Sequence, residues 1–145
     1  MRFKIFSICL IITALFFSNS MAEEKTTLRK YNHADKVIAY YFHGNYRCAS
    51  CTKIEKYSRD VITKSFDKEI KEGFLTFTAV NTDLSENKHF LQDYQLYTKS
   101  LVLISLKNNK VLKWKNLDKI WQKLNNQTDF YEYVQTETRK FLEEV

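Results

Sequence analysis

The sequence predicts an α/β domain on a central mixed sheet, with elements in the order strand, helix, strand, helix, strand, strand, helix. Three observations lead there. Lys36 to His43 and Ser100 to Leu106 are β-branched and aromatic or aliphatic almost throughout, the pattern of strands covered on both faces. Between them Ile54, Ser58, Val61, Ile62, Phe66 and Ile70 recur at three- and four-residue intervals, which marks a long helix. Last, Asn108-Asn109 joins Ser100 to Leu106 to the alternating run Lys110-Val111-Leu112-Lys113-Trp114, which marks a hairpin whose second strand has one wet face and lies near an edge.

Taken in order, the first strand ends at Gly44-Asn45 and the helix follows from Ala49 to Glu72, with a bend or break expected near Ser58 to Thr63. Gly73 is its C-terminal cap. Phe74 to Val80, rich in Phe, Thr and Val, is the second strand, ended by Asn81-Thr82-Asp83. Ser85 is expected to cap a short helix from Glu86 to Tyr94 with Phe90, Leu91 and Tyr94 inward. After the hairpin come a helical turn around Leu117 to Leu124 and an amphipathic helix from Asp129 to Glu144, with Phe130, Tyr133, Val134, Phe141 and Leu142 facing in. Because helices join the first three strands, those strands are expected to pair in parallel, with the hairpin adding an antiparallel edge.

Composition bounds the function classes. Met1 to Lys4 is a basic start, Ile5 to Phe17 an apolar core of 13 residues, and Ser20-Met21-Ala22 a small-x-small site, so residues 1–22 read as a cleaved signal peptide. The apolar core is shorter than the ~18 residues a spanning helix needs, so retention as a membrane anchor is the weaker reading. Removal leaves 145 minus 22, or 123 residues: an extension over 23–35 and one domain over 36–145. Without Arg2 and Lys4 the basic residues fall from 23 to 21 against 17 acidic ones, a net charge of +4. Those charges are spread along the chain, which fits a solvated surface and not a nucleic-acid partner. With no proline, two glycines and 15% aromatics, the chain reads as a packed body without linkers. An exported protein, periplasmic or extracellular, with no stable membrane span is expected.

The chemistry gathers at Cys48 and Cys51, the two thiols that remain once Cys9 leaves with the leader. They fall where the first strand gives way to the helix. A thiol in a helix's first turn faces unpaired backbone N–H groups, which stabilise the thiolate and lower its pKa from about 8.5 toward ~3.5–7.5. Cys48 is then the attacking thiol and Cys51, one turn on, the resolving thiol. His43 and Arg47 are expected to add positive charge beside them.

This arrangement resembles the thioredoxin-like superfamily, from about Lys36 to Leu142: a central strand, a Cys-x-x-Cys opening the next helix, a further strand, a hairpin and a closing helix. The resemblance implies a three-layer α/β/α sandwich. More narrowly, Tyr40 to Asn45, Arg47-Cys48 with Cys51, Lys53-Ile54-Glu55, Glu86 to Phe90, Asp93 to Ser100 and Trp114 to Leu117 are similar to exported proteins identified as the ArsF-type subunit of a nitrophenyl-compound nitroreductase. By position, the superfamily's cis-proline beside the cysteines falls at Thr98, Lys99 and Ser100, where this chain has no proline and a trans peptide is expected. The superfamily's buried carboxylate is also missing, since no Asp or Glu occurs from Val37 to Arg47.

The sequence therefore supports an exported thiol–disulfide oxidoreductase or redox-relay subunit that acts on a protein thiol or disulfide, within a larger redox complex, without a cofactor. Its alternatives are a Cu(I) carrier using Cys48 and Cys51, with His43 able to add a nitrogen, and a non-catalytic adaptor. A purely structural disulfide is a weaker reading, because so small a loop constrains the unfolded chain little. Zinc would need His33 and His89 to converge on the pair. Lys53, Lys56 and Arg59 form either a basic rim or a solvated helix face. Trp114, Trp121, Tyr94 and Tyr97 either line a groove near the thiols or belong to the core.

Overall fold

The computed structural model describes residues 35–145, so the leader, Cys9 and His33 lie outside the described residues. Strand β1 (Asp35–His43) leads into helix α1 (Ala49–Ser65), then α2 (Asp67–Lys71) and β2 (Leu75–Asn81). A 3₁₀ turn (Ser85–Asn87) and α3 (His89–Asp93) precede the hairpin of β3 (Ser100–Lys107) and β4 (Lys110–Asn116), and α4 (Ile120–Lys123) and α5 (Gln127–Glu143) close the chain.

The four strands lie in the order β2-β1-β3-β4, with β1 and β2 parallel, Val37 opposite Leu75 and His43 opposite Asn81. The third strand departs from the expected parallel set. It runs antiparallel to β1, with Phe42 opposite Ser100 and Asp35 opposite Lys107. The cause is the length of the connecting helix: five residues of α3 rise only ~7.5 Å, too little to carry the chain back along a strand, so β3 starts at the end where β2 stops.

Strand parity divides the core. Val37, Ala39 and Tyr41 project toward α1 and α5, where Ile54, Ile62, Phe130, Val134 and Phe141 are at most 1% exposed. Phe42 projects to the other face and packs with Val80, Tyr94, Leu96, Val102 and Ile104, while Phe90 of α3 lies over Phe42 at 5.3 Å between ring centroids. Burying each such side chain contributes about 1.5–3 kcal/mol before entropy is set against it. Helical segments thus cover both faces of one mixed sheet, the layering expected from the sequence.

Local differences have local causes. The first helix runs straight through Ser58 to Thr63 and breaks at Phe66, whose backbone (φ −129°, ψ 38°) leaves the helix while its ring stays 2% exposed in the core. Gly73 does close the segment, at φ +71°, a conformation that costs a Cβ-bearing residue. Ser85 caps nothing: it is the first residue of the 3₁₀ turn, and its hydroxyl donates to the Glu86 carboxylate. Leu91 is 40% exposed, and Leu96, in the loop after α3, fills the inward position instead. The Asn108-Asn109 turn has both residues at positive φ, 50° and 61°, which asparagine tolerates in a two-residue hairpin loop. Asn126 caps α5, its side chain accepting from the Thr128 and Asp129 N–H groups.

Candidate functional site

Cys48 is the N-cap of α1: its backbone is extended (φ −75°, ψ 162°) and its Sγ accepts a hydrogen bond from the Cys51 N–H at 3.1 Å. The two cysteines are joined as a disulfide with Cα atoms 5.0 Å apart. Cys48 is half-buried, whereas Cys51 is 1% exposed. The helix end that orients the pair therefore offers one sulfur to solvent and covers the other.

What holds this loop comes from two neighbouring strands. The Tyr41 hydroxyl, beneath the pair, donates to the Cys51 carbonyl at 2.8 Å. Burial pushes the Tyr41 phenol up to about 12; Arg47 pulls it down in part and Glu55 pushes it further up. On the β2 side, Asn45 N–H donates to the Asp83 carboxylate at 2.6 Å, Asn81 Nδ2 donates to Asn45 Oδ1 at 2.7 Å, and Thr82 N–H donates to the His43 carbonyl at 2.8 Å. Gly44 is needed for this clasp because a Cβ there would stand 2.8 Å from Asp83 Oδ2.

His43 and Arg47 stand beside the pair and contact each other. His43 Nδ1 lies 3.0 Å from the Gly44 carbonyl and its Nε2 lies 3.4 Å from Arg47 Nη1. Arg47 supplies the fixed positive charge of the two. That charge is itself matched: Arg47 Nη2 is ion-paired with Glu55 Oε2, and Arg59 binds the other Glu55 oxygen at 3.1 Å. Lys56 pairs with Asp60 at 2.8 Å, which holds the Asp60 carboxyl below the usual carboxylate range. Lys56, Arg59 and Lys64 thus pair with carboxylates on their own helix, while Lys53 Nζ lies 5.3 Å over the Tyr57 ring.

Thr98 and Lys99 lie on the loop before β3, at the same end of the sheet, and Ser100 begins the strand. The Ser100 hydroxyl donates to the Thr98 carbonyl at 2.9 Å, and the Trp121 indole N–H donates to the Lys99 carbonyl at 2.8 Å. No cis peptide occurs among the described residues. A cavity of ≈ 330 Å³ opens between this loop and the Gly44 and Asp83 loops, with Phe42 and Leu96 at its lining and Tyr46 (77% exposed) and Tyr97 (96% exposed) beside it. A second, of ≈ 110 Å³, lies across the Thr98 to Ser100 segment against Trp121. Tyr94 and Trp114 pair with each other at 5.7 Å instead, on the sheet face that carries Phe42. Among the described residues no three His, Cys, Asp or Glu side chains converge as a metal site. No helix among them is long and apolar enough to cross a membrane.

Glu55, Asn81 and Asp83 are the residues that sequence reasoning passed over. Glu55 had a signal, four residues after Cys51 and four before Arg59, on one helix face. Asp83 had none, since its partner Asn45 is 38 positions away.

No protein-family model and no curated protein matches the chain. Among solved structures, it is similar to thioredoxin-2 of the malaria parasite, described as a component of that parasite's protein secretion machinery, at 24% identity and TM-score 0.36 over 61% of this chain and 76% of that one. It is also similar to Fasciola hepatica thioredoxin, at 19% identity and TM-score 0.37 over 63% of this chain and 81% of that one. The chain's own topology defines the class: a parallel β1-α1-β2 unit, an antiparallel hairpin, a closing helix and a Cys-x-x-Cys disulfide at the start of α1 form a thioredoxin-like α/β fold.

Proposed function

We propose that this chain is an exported thiol–disulfide oxidoreductase or redox-relay subunit that exchanges the Cys48–Cys51 couple with a protein partner. One observation carries the reading: the more accessible sulfur sits at the N-cap of α1 with a backbone N–H aimed at it, while its partner sulfur is covered. A partner thiolate attacks Cys48 Sγ, the Cys48–Cys51 bond breaks, and the electron pair leaves on Cys51 Sγ, which takes up a proton. The partner's second thiol, once deprotonated, attacks its own sulfur in the mixed disulfide and Cys48 leaves as thiolate. The partner is then oxidised and the pair reduced by two electrons; the reverse sequence oxidises the pair.

The N–H that faces Cys48 in the disulfide favours the thiolate after reduction. The narrower resemblance to the ArsF-type subunit supports a place inside a larger redox complex, with the ≈ 330 Å³ cavity beside the loop as the surface nearest a docked partner. Alkylation rates of Cys48 across pH and equilibration in glutathione buffers test the function. The expected result is a thiol pKa well below 8.5 and full exchange. A pKa at or above that value with no exchange overturns it, and stoichiometric Cu(I) capture by the reduced protein without exchange points to the carrier instead.

A further inference from the structure

We propose that Glu55 tunes the redox pair by holding Arg47 away from the Cys48 thiolate, an inference that rests on the oxidoreductase reading above. Side chains on a helix lean toward its N-terminus, so a carboxylate four residues after Cys51 reaches back over the turn that carries the two sulfurs. The contacts bear this out: Glu55 binds Arg47, the residue before Cys48, and also Arg59 one turn on. Its side chain is 18% exposed, against 33% for Arg47 and 49% for Arg59, so the carboxylate is the inner member of the trio. The Tyr41 hydroxyl, 2.8 Å from the Cys51 carbonyl, lies within the fields of both Arg47 and Glu55.

The sign of the effect follows from charge alone. A free Arg47 would attract the thiolate at Cys48, lower its pKa and stabilise the reduced pair, making the couple more oxidising. Glu55 opposes this twice, by occupying the guanidinium and by adding a negative charge on the Cys51 face of the helix. The His43 ring stands on the other side of Arg47, its Nε2 3.4 Å from Arg47 Nη1 and its Nδ1 3.0 Å from the Gly44 carbonyl. Asp83 on the loop after β2, Lys99 before β3 and Asp118 after β4 are the charged groups that line the two cavities, and Lys53 of α1 lies with its Nζ 5.3 Å over the Tyr57 ring. Asp83 is engaged with the Asn45 N–H, and Tyr133 donates to Asp118 at 3.4 Å.

The test measures the Cys48 thiol pKa and the glutathione equilibrium constant for the unmodified protein, Glu55→Gln, Arg47→Gln and the double variant. Glu55→Gln is expected to lower the pKa and shift the equilibrium toward the reduced pair on the order of tenfold, the effect of one nearby charge at intermediate dielectric. Tenfold corresponds to ~30 mV. With Arg47 already replaced, the same change is expected to move the equilibrium less than about threefold, as coupled neighbours behave. Arg47→Lys, which keeps the charge but loosens the planar pairing, is expected to shift the pair in the direction of Glu55→Gln and serves if that variant fails to fold. An unmoved pKa in Glu55→Gln and Arg47→Lys overturns the proposal, as does a tenfold shift that survives undiminished without Arg47. Absence of thiol exchange in every form overturns the oxidoreductase reading itself, a result distinct from exchange that ignores Glu55.

Discussion

The two sulfurs of one small ring stand in opposite surroundings, and the difference is set by adjacent residues of a single strand. Tyr41 projects under Cys51 into the layer closed by α1 and α5, where Ile54 and Phe130 are fully buried. Phe42, the next residue, projects to the other face and lines the open cavity bounded by Tyr46 and Tyr97. Alternation along a strand thus supplies a support for the covered sulfur on one face and, on the other, the lining of a cavity against the loop that leads to the exposed one. The closed side should govern stability, and the open side the chemistry.

Three changes test that division. Phe130→Ala should cost the most, about 3–5 kcal/mol, because a fully buried ring leaves a cavity in the α1–α5 layer. Urea unfolding would measure the loss, while the exchange rate of the remaining folded molecules should hold. A fall in that rate comparable to the fall in stability would erase the proposed separation. Next, Gly44→Val would drive side-chain atoms into the Asp83 carboxylate, at a cost of about 1–3 kcal/mol, and slow exchange by displacing the loop before Cys48. Combining it with Asp83→Ala should cost less than the two changes summed, since they strike one contact.

The smallest effect concerns pH. Tyr41→Phe removes the hydrogen bond to the Cys51 carbonyl, worth about 1 kcal/mol near neutrality. Because burial raises the Tyr41 phenol from 10.0 to about 12, the folded state holds its proton more tightly than the unfolded chain. The associated stability is complete below about pH 10 and is lost as pH rises through about 12. The variant should therefore show a shallower alkaline decline in urea titrations. Part of the decline should remain, because Tyr133 is pushed to about 12 as well, chiefly by burial. An identical alkaline slope in the two proteins would remove Tyr41 from the account.

Much of this architecture was legible from local pattern. The apolar runs located β1 and β3, Gly73 and the Asn108-Asn109 pair located their turns, and the helix repeat located α1, because each signal is carried by neighbours within a few residues. Strand direction was not legible at β3, where the deciding quantity was how far the chain travels between Asn81 and Ser100. The same limit applies to the site. Cys48 and Cys51 announced themselves by spacing, but the Asn45–Asp83 clasp and the Trp121 bond to Lys99 join positions 38 and 22 residues apart. Arg47 was read as positive charge beside the thiols, but its ion pair with Glu55 was not, because that pair forms across the turn that begins α1.

The outer strand has a bearing on how the molecule behaves in company. Among the described residues one side of β4 has no strand beside it, so part of its ladder is open to a stranger there, and Leu112 and Trp114 lie at its surface, 64% and 36% exposed. Lys110, Lys113 and Lys115 punctuate the same strand, and Lys113 and Lys115 are tied to Glu144 and Glu137 at the C-terminal end of the chain. Copies approaching edge to edge would bring these ammonium groups together, a deterrent to fibrous stacking that apolar replacements would withdraw.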